Sequence, residues 1–312
     1  MPLCERLLKD GHGLRVLTRN VSVTQKIFNA PTFSFPSAAK IECFAWDGKS
    51  PVSLDALIDK ETKRTVDAVI HLAGENIGQW PWTKKRKQRI LDSRVVGTRS
   101  LIDSLASLAK APKIMVSASA VGFYGDASDE LKSENETAGQ GFLADVVSAW
   151  EKEVFKAEEL GIRTVALRNG IVLGRDSKGK MSGALGKMLP SFALGLGAVV
   201  GKGDQYWSWV HLKDTVEIFL HALNHENLSG PVNACAPMPV QQKEFGKTLA
   251  QVLHRPFLFS MPAFLIKRVL GEMSVTLLQS QRASAAKLQA SGYPFLFPHL
   301  PEALEDLISK PK

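Results

Sequence analysis

Two hydrophobic rhythms alternate along this chain. Short apolar runs closed by glycine or polar turns are separated by longer stretches with an apolar residue at every third or fourth position. Leu3, Leu7 and Leu8 predict a helix over 3–8, stopped at Gly11-His12-Gly13, because glycine relaxes the backbone just past a helix end. Residues 14–17 read as a short buried strand ending at Thr18-Arg19-Asn20. Residues 40–46 alternate apolar and polar, as an exposed-edge strand does, and 54–58 read as a helical turn. A second buried strand over 66–72 is closed by Ala73-Gly74. A long helix over 84–109 aligns Ile90, Val95 (or Val96), Leu101 and Leu105. A strand over 113–116 runs into Ser117, a helix over 144–160 stops at Gly161, and a strand over 164–167 leaves through Arg168-Asn169-Gly170.

Strands alternating with helices predict βαβ units and a parallel sheet. After residue 175 the texture changes. Glycines cluster from Gly179 to Gly203 and prolines punctuate 231–262. A smaller lobe over the carboxyl edge of the sheet fits that change, since open α/β sheets bind ligands there. A strand over 232–235 is expected to return to the main sheet. The expected division is a nucleotide-binding domain over 1–175 and 226–236, and a small lobe over 176–225 and 237–312.

Composition narrows the class. The 312 residues are 45% hydrophobic and 22% charged, an ordinary globular balance with a large core. No apolar run approaches the roughly 20 residues that span a bilayer, so no membrane partner is expected. Cys4, Cys43 and Cys235 are widely spaced and odd in number, which argues against a disulfide framework and for a reducing, cytoplasmic setting. The net charge of +8 is densest at Lys84-Lys85-Arg86-Lys87 with Arg89, which reads as a solvated helix face. Without interleaved aromatics it does not suit single-stranded nucleic acid, and no nucleic-acid partner is expected.

The remaining motifs carry a family likeness. Leu72-Ala73-Gly74-Glu75-Asn76-Ile77, Ser93-Arg94-Val95-Val96-Gly97-Thr98-Arg99 and Ser117-Ala118-Ser119-Ala120-Val121-Gly122-Phe123-Tyr124-Gly125 occur in order. Leu167-Arg168-Asn169-Gly170, Ser208-Trp209-Val210-His211 and Gly230-Pro231-Val232-Asn233 follow. Together they resemble the extended short-chain dehydrogenase/reductases, within the epimerase/dehydratase-like branch of unknown substrate, over essentially the whole chain. The resemblance implies a Rossmann-type parallel sheet with helices on both faces plus a small C-terminal α+β substrate lobe. It also implies a small-molecule substrate, and a homodimer through the long helices is consistent with it.

A residue just past the second strand of such a sheet lies beside the adenosine ribose, where an acid bonds the 2′-hydroxyl and an arginine accommodates a 2′-phosphate. Thr18-Arg19, with no nearby acid, favours NADP over NAD. Leu72, Ala73 and Gly74 match the segment along the adenosine and pyrophosphate, where small residues let backbone approach a ligand. Arg94 matches a position that reaches the cofactor. Arg168 is expected at phosphate or nicotinamide, with a structural ion pair as its rival. Ser119 matches the catalytic serine of the family, with Ser117 as its neighbour. The usual Tyr-x-x-x-Lys pair falls on Leu143 and Val147, neither of which moves a proton. Tyr124 is the nearest substitute acid, against a packing role, and His211 is an acid/base candidate, against a structural one.

The chain opens inside the helix that, by the resemblance, should follow a central strand and a glycine-rich phosphate turn. Gly11-His12-Gly13 follows that helix and does not replace the turn. A start roughly 15 residues upstream is expected, about a strand plus a turn, with a degenerate copy as the rival. The leading expectation is an NADP-dependent oxidoreductase or nucleotide-sugar-epimerase-like enzyme. The alternative is a non-catalytic NADP-binding sensor or scaffold, linked to cell division as some relatives are labelled.

Overall fold

Helix α1 (Pro2–Lys9) buries Leu3, Leu7 and Leu8 on one face, the i, i+4, i+5 spacing that gave it away in the sequence. This computed structural model describes residues 2–30, 33, 40–176 and 179–309. Strand β1 (Leu14–Thr18), helix α2 (Val21–Phe28), strand β2 (Ile41–Ala45), the single turn α3 (Leu54–Leu57) and strand β3 (Ala68–His71) come next. Helix α4 (Lys84–Ala106) and strand β4 (Ile114–Ala120) follow. Sequence reading placed no helix over α2, although Asn20 caps it by accepting from the Val23 amide at 3.0 Å.

Beyond a short strand β5 (Leu131–Lys132) come helix α5 (Phe142–Val154), strand β6 (Arg163–Asn169) and strand β7 (Ile171–Leu173). The helix expected over 144–160 thus ends early, and Phe155–Leu160 is a tighter 3₁₀ turn. Then follow α6 (Gly183–Ala193), β8 (Ala198–Val200), β9 (Tyr206–Trp207), β10 (Trp209–His211), α7 (Leu212–Asn224) and β11 (Gly230–Ala234). The chain closes with β12 (Val240–Gln241), α8 (Gln242–Val252), β13 (Phe259–Met261), α9 (Ala263–Leu270), α10 (Val275–Leu278), β14 (Arg282–Ala283), α11 (Ala286–Ala290) and α12 (Leu300–Ile308).

The Rossmann-like core is a four-stranded parallel sheet in the order β11-β6-β4-β3. Strands β1 and β2 pair in parallel as a separate two-stranded sheet. Both sheets lie between the same two apolar layers. On one side Leu14 of β1 and Ile70 of β3 meet the cluster built by α1 and α7. On the other, Leu17 and Val69 meet the cluster built by α3 and α4. The alternation is that of strands buried on both faces. Among the described residues no strand pairs with the edge of β1 opposite β2 or the edge of β3 opposite β4. The C-terminal lobe has its own core around Trp207, Trp209, Phe245 and Leu304. Its strands pair in short ladders, β7 with β10, β8 with β13 and β9 with β12.

The basic run at the start of α4 is less uniform than the solvated face expected of it. Arg86 turns inward, 9% exposed, and donates to the Asn76 carbonyl at 2.6 Å. Among the described residues no helix is long and apolar enough to cross a membrane.

Candidate functional site

The carboxyl ends of β1, β2 and β3 and the start of α4 enclose a cavity of about 490 Å³. Thr18, Arg19, Leu72, Ala73 and Gly74 all line it, so five of the expected cofactor-binding residues come together from the ends of two strands, β1 and β3. Parallel strands bring this about, because their carboxyl ends open on one side. Thr18 is held by its hydroxyl, 2.8 Å from that of Thr24. The Arg19 side chain has no hydrogen-bond or ion-pair partner among the described residues.

Asp47, which lines the cavity just past β2, is folded back on its own loop. It accepts from the amides of Lys49 and Ser50 at 2.8 and 2.7 Å and from the Ser50 hydroxyl. Those bonds hold its carboxyl below the usual range. Helix α4 clasps this loop through a stripe of small residues. A Cβ on Gly97 would lie 2.7 Å from the Gly48 carbonyl. Ser100 donates to the Ser50 carbonyl at 2.6 Å, and Ser104 accepts from the Val52 amide at 2.8 Å.

Arg94 stands behind the Leu72–Gly74 segment. It donates to the Glu75 carbonyl at 3.1 Å and lies 5.1 Å over the Trp150 ring. A Cβ on Gly74 would lie 3.2 Å from its guanidinium, so glycine here keeps the strand end against the arginine. His71, 2% exposed, bonds Thr98 at 2.9 Å. Burial, and secondarily the Arg94 charge, pull its pKa down to about 4.

The catalytic candidates belong to a different arrangement. Ser119, next to last in β4, is 5% exposed, and its Oγ donates to Glu151 Oε1 at 2.5 Å. Arg168 grips the same carboxylate through Nε and Nη2, at 2.9 and 2.8 Å. Its Nη1 donates to the Tyr124 hydroxyl at 2.9 Å, and Tyr124 donates onward to Asn233 Oδ1 at 2.8 Å. Phe123 stacks 3.5 Å beneath the guanidinium. Arg168, expected at phosphate or nicotinamide, therefore has the ion pair that was its rival, at 2% exposure. Tyr124 is equally buried, and desolvation pushes its pKa up to about 12, which suits packing better than proton transfer near neutrality.

Leu143 packs toward Gly122 and Val147 is buried, so neither position offers a polar group. His211 caps α7, its Nδ1 accepting from the Lys213 amide at 3.1 Å, with Phe297 stacked on its ring. Sequence reading missed Glu151 and Asn233 as members of the network. Glu151 shares the buried face of α5 with Val147 and Val154, at i, i+4, i+7 spacing. A carboxylate on such a stripe signals a buried cation.

Comparisons with known proteins fit this geometry. The profile of the NAD dependent epimerase/dehydratase family matches residues 2–235, and that of a domain of unknown function, DUF1731, matches 261–307. Epimerase family protein YfhF of Bacillus subtilis is 35% identical, over 98% of this chain and 93% of its own. Epimerase family protein ML0860 of Mycobacterium leprae is 37% identical, over 88% and 85%. Among solved structures, human epimerase family protein SDR39U1 (isoform2) with NADPH superposes with a TM-score of 0.79 at 28% identity, covering 98% of this chain and 94% of that one. MoeE5, solved with UDP-glucuronic acid and NAD, shares the fold at 19% identity and a TM-score of 0.73, over 97% and 92%. With its parallel core and the profile match over residues 2–235, the chain belongs to the NAD-dependent epimerase/dehydratase family.

Proposed function

We propose that this protein is an NADP(H)-binding oxidoreductase or epimerase-like enzyme acting on a small polar substrate. The observation that carries this reading is Arg19, a cation at the end of β1 without a partner among the described residues, facing the cavity it shares with Leu72–Gly74. A guanidinium so placed complements a 2′-phosphate through charge-assisted hydrogen bonds. Asp47, the nearby acid, is occupied by its own loop. The human relative solved with NADPH supports the same choice.

The residues present fit the adenosine half of such a cofactor. Thr18 and Arg19 would flank the ribose, and Leu72–Gly74 would lie along the adenosine, with Arg94 behind them. When bound, the nicotinamide dinucleotide supplies or accepts a hydride. Ser119 donates its hydroxyl hydrogen bond to Glu151 and keeps its lone pairs, so it would orient a substrate hydroxyl by accepting from it. Arg168 and Tyr124 act through Glu151, fixing the Ser119 hydroxyl without touching substrate.

The buried, closed state of that network favours a second reading, a cofactor-binding protein without turnover. Two measurements separate them. Thermal melts with NADPH and NADH test the cofactor: a larger rise with NADPH, lost in Arg19→Glu, supports it, and equal rises in both proteins sink it. NADPH formation from NADP over a panel of small polar alcohols tests the enzyme. Turnover abolished by Ser119→Ala supports catalysis, and tight binding without turnover supports the sensor.

A further inference from the structure

We propose that the flank of the C-terminal lobe built by the 194–196 turn, β13 and α9 is a docking surface for a bilayer of anionic lipid. Apolar side chains stand out of this flank. Leu258 is 82% exposed and Leu194 75%, and Leu196, Phe259, Phe264 and Val269 are each more than half exposed. They are contiguous. Strand β13 runs parallel to β8, with Phe259 beside Ala198 and Met261 beside Val200. The 194–196 turn leads into β8, and a Cβ on Gly195 would meet Pro256 at 3.3 Å. Pro262 joins β13 directly to α9, and a Cβ on Gly201 would lie 3.6 Å from Ala263. An exposed apolar patch of this extent marks a contact surface.

Helix α9 has the pattern of an interfacial helix. Only Ile266 is buried. Leu265 and Val269 share one exposed row and Phe264 and Arg268 the next, each pair at i, i+4 spacing. Such a helix lies in the plane of a bilayer surface, its apolar side chains among the acyl chains and its cations drawn up to the headgroups. Contact of this kind needs no spanning helix, so the shortness of the chain's apolar runs bears on spanning alone.

Charge selects the occupant. Residues 179–203 and 245–271 contain seven Lys and Arg and no Asp or Glu, in a chain whose whole net charge is +8. Lys202, Arg255, Lys267 and Arg268 are exposed and have no ion-pair partner among the described residues. A second copy seated face to face would bring these cations against their own kind, with no acid in either segment to meet them. A partner helix would need a groove to lie in, whereas these side chains project. Anionic headgroups over acyl chains meet both features at once, attracting the cations and taking up the apolar side chains.

The test mixes the full chain with vesicles of phosphatidylcholine, pure or with about a third phosphatidylserine, and measures the bound fraction by sedimentation. Binding to the anionic vesicles should exceed binding to the neutral ones by at least about tenfold and fall steeply as salt is raised. Leu258→Ser with Phe264→Ser keeps the charge and should lose at least about tenfold of that binding. Lys84→Gln with Lys85→Gln lowers the charge at the exposed start of α4 and should keep it within about threefold. In Phe264→Trp, bromine-labelled acyl chains should quench fluorescence beyond any quenching of the parent, which adsorption by charge alone would not do. No binding to either vesicle, an equal loss in the two double variants, or no added quenching overturns the proposal. So does a dimer in sedimentation equilibrium that only Leu258→Ser with Phe264→Ser dissociates, since a second copy then holds the flank.

Discussion

Arg19 and Glu151 mark two ways a charged side chain is used in this molecule. Arg19 has no partner among the described residues and faces a cavity. Arg19→Ala should weaken NADPH binding by roughly 1.5–3 kcal/mol, the range for a hydrogen bond to a charged group, and leave NADH binding nearly unchanged. Titration by fluorescence with both nucleotides checks this. Glu151 is the opposite case, closed in by Arg168 and Ser119. Glu151→Leu leaves a buried guanidinium alone and should destabilise the fold by about 3–5 kcal/mol, measured by urea unfolding. Combining it with Arg168→Met should recover most of that loss, because no charge is then stranded. His71 adds a pH dependence. Its folded pKa of about 4 lies below the ordinary 6.5, so the unfolded chain takes the proton first. Its contribution is complete above 6.5 and falls as the pH drops toward 4, reaching about 3 kcal/mol. Unfolding curves between pH 7 and 4 should be flatter for His71→Gln than for the parent.

Helix α4 shows what an element adds to its residues. Gly97, Ser100 and Ser104 recur at helical spacing and seat the 46–52 loop that forms one wall of the cavity. Gly97→Ala forces a methyl against a backbone carbonyl and should cost about 1–3 kcal/mol. Because the displaced loop carries Asp47 to Lys49, NADPH affinity should fall with it, read in the same titration. This clasp was not legible in the sequence, where small polar residues on a long helix look like any solvated face. The strands were legible, since β1, β3, β4 and β6 are apolar on both faces and leave little other fate for such runs. The cavity lining was legible for the same reason: parallel strands carry their carboxyl ends to one side. The Ser119 network was only half readable. Its strand residues carried motifs, but its carboxylate came from the interior of α5, where Glu151 belongs to no motif. Helix α2 escaped because Val21 and Val23 suit a strand as well as a helix, and only the Asn20 cap decides.

At the scale of the whole molecule, the separate β1–β2 sheet should be its least stable part. It is tied to the rest by side-chain layers, without a backbone ladder to β3. Native-state exchange should find amides of Ile41–Ala45 opening at lower free energy than those of β4 and β6, which pair on both sides. Equal protection would show the two sheets to be one cooperative unit. The opposite flank of the core has a consequence in time. Strand β11 lies directly beside β6 in the sheet, yet all of 170–229 comes between them in the chain. On a ribosome adding roughly 5–20 residues each second, β6 emerges well before the strand that covers it. During that interval the β6 edge is exposed, in a chain whose apolar runs are apolar on both sides. A nascent chain halted near residue 225 should therefore be stickier than one carried past β11.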